Sequence, residues 1–444
     1  MTQTYRARWI LPVDAPPIEN GEIVVDGGVI AAVRAASPGA CDRDFGEAII
    51  MPGFVNAHTH VEYTALRGFL EDVPFFPWVR ALNASKAAFD IDDWTVSAQL
   101  GVMECVAGGI TTIGDNTDAG VTTAVASNAG LRATVFQEVF GIDHREPVDA
   151  AMAALKAKID THRRAASPQV RVGVSPHAPY TVRPALFAAL MPYAHAEHLP
   201  ISIHVAESPA ESELTERGTG LFAQMYSARG IEWTSPGATP TAYVASQRAL
   251  TPSTLAVHCV HQSAADIAIT VASGASIVHC PKSNAKLGAG IAPLANWLAV
   301  PGLNVALGTD SAVSNNTLDM FEEMRFALLL QRAASENAVA VTAQQVVEAA
   351  TMGGAVAMGI DKLVGSLAAG KRADFICVSL NAAHSWPATN PYSALVHSCR
   401  ADDVVLTVVD GQPLYRDGEW LTIDSDRVLA SAARMRRKAP AVQP

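Results

Sequence analysis

Between residues 51 and 360 short apolar runs recur, and most of them close on a residue able to do chemistry. The runs end near His60, Asp115, Glu138, His177, His204, His258, His279 and Asp310. Stretches with helical spacing of apolar positions lie between them, at 92–107, 147–164, 183–198, 264–273 and 318–332. Alternating strand and helix favours a parallel sheet. Eight strands in this rhythm predict an α/β fold closed into a (β/α)8 TIM barrel, whose chemistry sits at the C-terminal strand ends.

The chain ends have another texture. Residues 22–33 form two strand-like runs around Asp26-Gly27-Gly28, a hairpin signal. Residues 370–378 and 404–415 are again strand-like around glycine turns. The expectation is a composite β-sandwich from 1–50 and 361–425, a barrel over 51–360, and a C-terminal tail at 426–444. The basic stretch Arg434-Met-Arg-Arg-Lys reads as a frayed, solvated end. Two stretches break the barrel rhythm. Residues 61–90 carry Phe69, Phe75, Phe76, Trp78 and Phe89; residues 215–250 are rich in glycine and proline. Long loops at a barrel mouth act as lids or substrate walls.

Composition narrows the partners. With 32 Lys and Arg against 43 Asp and Glu, the formal charge is −11, which argues against nucleic acid or an anionic membrane. The partner expected is a small molecule. The first residues, Met1-Thr-Gln-Thr-Tyr-Arg, lack the apolar core of a secretion signal, so a cytoplasmic enzyme is expected. The six cysteines form no Cys-x-x-Cys pair, and Cys259 and Cys280 read as buried thiols beside site histidines.

Candidate chemistry begins at His58-Thr59-His60. Alternate strand residues point the same way, so two imidazoles leave this strand on one side and can grip one ion. Later strands end in His204-Val-Ala-Glu207, His258-Cys-Val-His261, His279-Cys-Pro and Asp310-Ser311. Imidazoles with a carboxylate suit zinc or ferrous iron. On successive strands of one barrel, such groups converge on one axis. His195-Ala-Glu197 imitates a zinc-deaminase motif, but no Pro-Cys-x-x-Cys accompanies it and it falls in a helix-like stretch. His144, His162, His195, His198, His384 and His397 lie away from strand ends and receive no catalytic role.

These motifs together resemble the amidohydrolase superfamily, in the branch of cytosine-deaminase-like and methylthioadenosine/S-adenosylhomocysteine deaminases. The carrying segments are Pro52-Gly-Phe-Val-Asn-Ala-His58-Thr-His60, Leu66-Arg-Gly, Pro176-His177-Ala-Pro-Tyr, His204-Val-Ala-Glu207 and His258-Cys-Val-His261. His279-Cys-Pro-Lys-Ser-Asn-Ala-Lys-Leu-Gly, Gly308-Thr-Asp310-Ser-Ala and the run from Asn315 to Arg325 complete them. The resemblance implies a distorted TIM barrel with a small β-sandwich, and a homo-oligomer. It makes His58, His60, His204 and Asp310 the metal ligands. Binuclear members bridge two metals with a Lys or Glu from the fourth strand; here that strand ends Val172-Gly-Val-Ser-Pro-His177. One divalent metal per subunit is therefore expected, zinc first and iron as the alternative.

The resemblance further implies a hydrolytic deaminase of a 6-aminopurine nucleoside, of the methylthioadenosine, S-adenosylhomocysteine or aminodeoxyfutalosine type. Hydroxide made available by the metal attacks the amine-bearing carbon and ammonia leaves. Glu207, His258 and Asp310 move the protons. Glu207, Trp78, His177 and His279 contact substrate, while His261 is structural. One departure matters. The loop carboxylate that grips the ribose in methylthioadenosine deaminases falls on Ala87, with Asp90 or Asp92 as substitutes. Arg217, Tyr226 and Arg229 are candidates to meet a carboxylate-bearing substituent. The alternatives are triazine dechlorination, guanine or pterin deamination, and, in another class, a non-catalytic scaffold with the same fold.

Overall fold

The computed structural model describes residues 2–435 and Lys438. Its centre is an eight-stranded sheet with strands in sequence order: β1 (Phe54–Thr59), β2 (Ile110–Thr117), β3 (Arg132–Val139), β4 (Val170–Pro176), β5 (Ile201–Val205), β6 (Thr254–His258), β7 (Ser276–His279) and β8 (Val305–Leu307). Neighbouring strands pair in parallel. A parallel bridge between Thr59 and Asp310 brings the last strand back to the first. The Asp310 amide donates to the His58 carbonyl at 3.0 Å at this closure. Gly308 is required there, since a Cβ would stand 2.8 Å from the same carbonyl. All strands but β4 are buried along their whole length, as expected when helices cover a parallel sheet.

Both chain ends build a second, mixed sheet of nine strands. Phe375–Ser379 pairs antiparallel with Ala48–Pro52, which runs parallel to Thr2–Ile10. Tyr5, Ile23, Ile50, Phe375 and Val408 share one buried cluster across this sheet. A forked ion pair fastens it to the barrel: Arg132 of β3 donates to Asp374 at 2.7 and 3.0 Å.

Two stretches hold more helix than the sequence predicts. The glycines and prolines of 215–250 punctuate helices rather than a long loop. Pro209–Arg217 starts with Ser208 accepting from the Glu211 amide, and Pro240–Ser246 starts with Thr239 accepting from the Ala242 amide. Proline at the first position of each is pre-set for a helix and lacks only a donor that has no partner there. The chain end is not simply frayed: Ser425–Met435 is a helix that packs on Ile91–Ala107, burying Val428 and Met435. Lys438 continues this dock by donating to Asp93 at 2.6 Å, whereas Arg436 and Arg437 lie outside the described residues. Among the described residues no helix is long and apolar enough to cross a membrane.

Candidate active site

β1 delivers His58 and His60 to the barrel axis, β5 delivers His204, and the turn after β8 delivers Asp310. One donor atom from each of the three histidines lies within 4.8 Å of the others. Asp310 Oδ1 stands 3.6 Å from both His58 Nε2 and His60 Nε2. The His58 ring is fully buried, yet neither of its nitrogens has a hydrogen-bond partner among the described residues. Buried polar atoms are rarely left so. A divalent ion accounts for these orphans, and the imidazole and carboxylate set is one that zinc and iron take. The other groups are oriented for it. His204 Nδ1 donates to the His177 carbonyl at 2.7 Å, which leaves Nε2 bare. Asp310 Oδ2 accepts from Ser283 at 2.6 Å and Ser314 at 2.8 Å, while Oδ1 accepts the Ser311 amide at 2.7 Å.

Electrostatics follow from burial. It pushes His204 and His258 down to about 4, so both are neutral bases at neutral pH. It lowers His58 and His60 as well. Burial alone would raise Asp310, but His58, His60 and His258 outweigh it and hold the carboxyl well below the usual range. Glu207, past the end of β5, has no such support. Burial first, then the charges of Asp310 and Glu211, raise it to about 8. Its Oε1 lies 3.8 Å from His258 Nε2. His258 donates through Nδ1 to Asn284 Oδ1 at 3.0 Å, which fixes the ring. The backbone at Ala206, His258 and Asp310 takes positive φ, turning these strand ends sharply at the site.

A cavity of about 520 Å³ opens above these groups, reached by His60, His204, Glu207, His258 and Asp310. Its outer wall is aromatic: Phe75 and Trp78 from α1 (Phe75–Lys86), Phe222 and Tyr226 from α2 (Gly220–Ala228), with Tyr63, Phe140 and Tyr180. Tyr180 stacks on Phe222 at 4.3 Å, and the Tyr226 hydroxyl donates to the Tyr180 carbonyl. Phe76 meets Phe222 edge to face at 4.8 Å, so the two insertions meet over the barrel mouth.

A family model, the amidohydrolase family, matches residues 49–414. The chain belongs to the amidohydrolase family. The 5-methylthioadenosine/S-adenosylhomocysteine deaminase of Syntrophobacter fumaroxidans is 33% identical, with 98% of this chain and 96% of that protein covered. The 5'-deoxyadenosine deaminase of Methanothermobacter thermautotrophicus is also 33% identical over 95% of each. A zinc-bound adenosine deaminase from Xanthomonas campestris superposes with a TM-score of 0.88 at 29% identity, covering 99% of this chain and 98% of its own. The amidohydrolase described here is an enzyme of a metal-dependent family.

Within this amidohydrolase, His58, His60, His204, Asp310, Glu207 and His258 come together, and Trp78 and His177 line the cavity. His279, the last residue of β7, does not line it, and its ring packs 5.7 Å from Trp297. His261 is tied to the Ala289 carbonyl at 2.7 Å. Asp90 is not free to replace the missing loop carboxylate, because it caps Ile91–Ala107, and Asp92 lies in that helix's first turn. Arg229 reaches the cavity rim; Arg217 does not. His195 lies in the helix Pro184–Ala196, away from the cavity. Sequence reasoning missed Ser283, Asn284 and Ser314 as partners of Asp310 and His258. Ser283 and Asn284 stood in view inside His279-Cys-Pro-Lys-Ser-Asn, and only the turn into Pro281–Lys286 aims them at the site.

Proposed function

We propose that this amidohydrolase is a hydrolytic deaminase of a 6-aminopurine nucleoside, of the methylthioadenosine, S-adenosylhomocysteine or aminodeoxyfutalosine class. The names of its relatives support the class. The observation that carries the reading is the pair of Glu207 and His258, set side by side at the floor of a nucleoside-sized cavity and beside a buried cation-binding donor set.

His58, His60, His204 and Asp310 would hold the metal, with zinc the choice that the imidazole-rich set favours. When bound, the ion supplies a water acidified to near neutrality. Glu207 keeps its proton at neutral pH and hands it to the ring nitrogen beside the amine-bearing carbon, so that the ring accepts electrons. His258 is neutral, and its Nε2 faces Glu207 while Nδ1 is tied to Asn284. It takes a proton from the attacking water and, with Asp310, passes it to the departing amine. Glu207 takes back the remaining hydroxyl proton as the water oxygen becomes the ring carbonyl, the carbon–nitrogen bond breaks, and ammonia leaves. Trp78 and Phe75 cover the base, and His177 meets the substrate edge nearest β4.

A panel of adenine nucleosides tests this, read by ammonia release and by the ultraviolet change from adenine to hypoxanthine. Turnover of at least one member supports the reading. A protein with a full equivalent of metal that releases no ammonia from any of them overturns it. The same reading makes the enzyme cytoplasmic and homo-oligomeric, which gel filtration of the purified chain checks for the assembly.

A further inference from the structure

The cavity wall holds one more buried carboxylate, and the reaction above does not use it. Glu138 closes β3 and is 5% exposed. Its Oε1 has no hydrogen-bond partner among the described residues. It faces His60 Nδ1 and His177 Nε2, each at 3.9 Å, beyond hydrogen-bond length. A buried oxygen left this way calls for an occupant carrying a donor.

Glu146 and Arg229 stand exposed at the rim, and the buried or half-buried charged groups on the wall other than Glu138 are engaged. Asp310 is held by serines and histidines, and Glu207 is taken up by the proton transfer to the base proposed above. Asp143 pairs with Arg145 outside. Lys86 donates to Asp118 at 3.2 Å and lies over the Tyr63 ring. Ala87, next along, is exposed at the end of α1 and offers no acceptor. Once Glu207 and His258 hold the amine edge of the base, the donors left on a nucleoside include the sugar hydroxyls. Glu138 is a buried lining carboxylate, outside the reaction, with an unpartnered oxygen to receive one.

We propose that Glu138 accepts a hydrogen bond from a sugar hydroxyl of the substrate and so selects ribonucleosides over their deoxy counterparts. The proposal rests on the nucleoside reading. It makes Glu138 a specificity determinant, presented from a barrel strand rather than from the α1 side of the mouth.

The test compares kcat/KM of the zinc-loaded enzyme on a ribonucleoside and on its 2',3'-dideoxy analogue, for wild type, Glu138→Ala and Glu138→Gln. Wild type should prefer the ribonucleoside by at least about a hundredfold, since a site built to bind a hydroxyl rejects the analogue lacking it. Glu138→Ala should erase that preference while changing the dideoxy rate less than about twofold, and Glu138→Gln, which keeps an acceptor, should restore part of it. Zinc content of each variant is measured alongside, because Glu138 also faces His60. An equal loss on both substrates with lowered zinc content makes Glu138 a support for His60 and overturns the proposal. No change on either substrate overturns it too. If wild type deaminates no nucleoside at all, the reading beneath fails and takes this proposal with it, a result distinguishable because it appears before any variant is made.

Discussion

Two buried glutamates show how this molecule separates chemistry from architecture. Glu22 lies in the terminal sheet and Glu207 at the barrel mouth, with 1% and 7% of their surface exposed. Burial raises the pKa of each. At Glu22 two guanidiniums outweigh it: Arg34 donates at 2.9 Å, Arg6 at 3.0 Å, and Ser37 adds a third bond. Its carboxyl falls to about 2. Glu207 receives no cation and instead shares its surroundings with Asp310 and Glu211, which lifts it to about 8. Partners, not depth, decide the sign. A carboxylate fully paired is a structural anchor; one left buried and unpaired is poised to carry a proton.

The largest effect should come from Glu207→Gln. It keeps the shape and removes the titrating proton, so turnover should fall about 10²- to 10⁴-fold while bound metal, measured by elemental analysis, stays unchanged. Glu22→Gln, as the control, should leave turnover where it was. A Glu207→Gln enzyme within tenfold of wild type would erase the contrast between the two sites. A lesser effect follows at the carboxylate that the serines hold. Replacing Ser283 and Ser314 together by alanine strips both hydroxyl bonds from Asp310 Oδ2. Metal affinity, measured against a chromogenic chelator, should weaken about 10- to 100-fold, as with other groups that orient a ligand. Smaller still is Trp78→Ala. It removes an aromatic face stacked with Phe75 at the outer wall, so KM should rise about tenfold with kcat nearly constant. A fall in kcat alone would place Trp78 at the reacting end instead.

The same contrast explains what could be read from the chain. His58, His60 and His204 were legible because strand parity sends alternate residues to one face, and the apolar runs mark the strands. Glu207 was legible by its place after a strand that ends in a ligand. Glu22 was not, because its partners come from Thr2–Ile10 and Val29–Ala35, and only cross-strand register sets Arg6 and Arg34 against it. His279 shows the opposite limit. Its motif matches the family and it ends β7, but its ring packs against Trp297 and is not among the residues lining the cavity. The helices over 209–246 were hidden by their own glycines and prolines, which mark boundaries as readily as loops. Glu138 closed a predicted strand, yet nothing local distinguishes an unpartnered carboxylate from a paired one.

The smallest effect lies in stability and tests the contrast from both ends. Glu22 has a folded pKa of about 2 against an unfolded value near 4.5. The folded state therefore binds fewer protons than the unfolded state between these limits, and stability from this site is complete above pH 4.5 and lost as pH falls toward 2. Glu207 runs the other way. With a folded value of about 8, the metal-free folded state binds more protons between pH 4.5 and 8, so this site costs increasing stability as pH rises through that window. Melting temperatures of the metal-free protein across pH should show both slopes. Glu22→Gln should lose stability most at neutral pH and converge on wild type as pH approaches 2. Glu207→Gln should gain on wild type as pH rises, with the gain levelling off above pH 8. Parallel curves for both variants would mean that neither carboxylate's proton is held differently in the folded chain, and the division between anchor and carrier would fall with them.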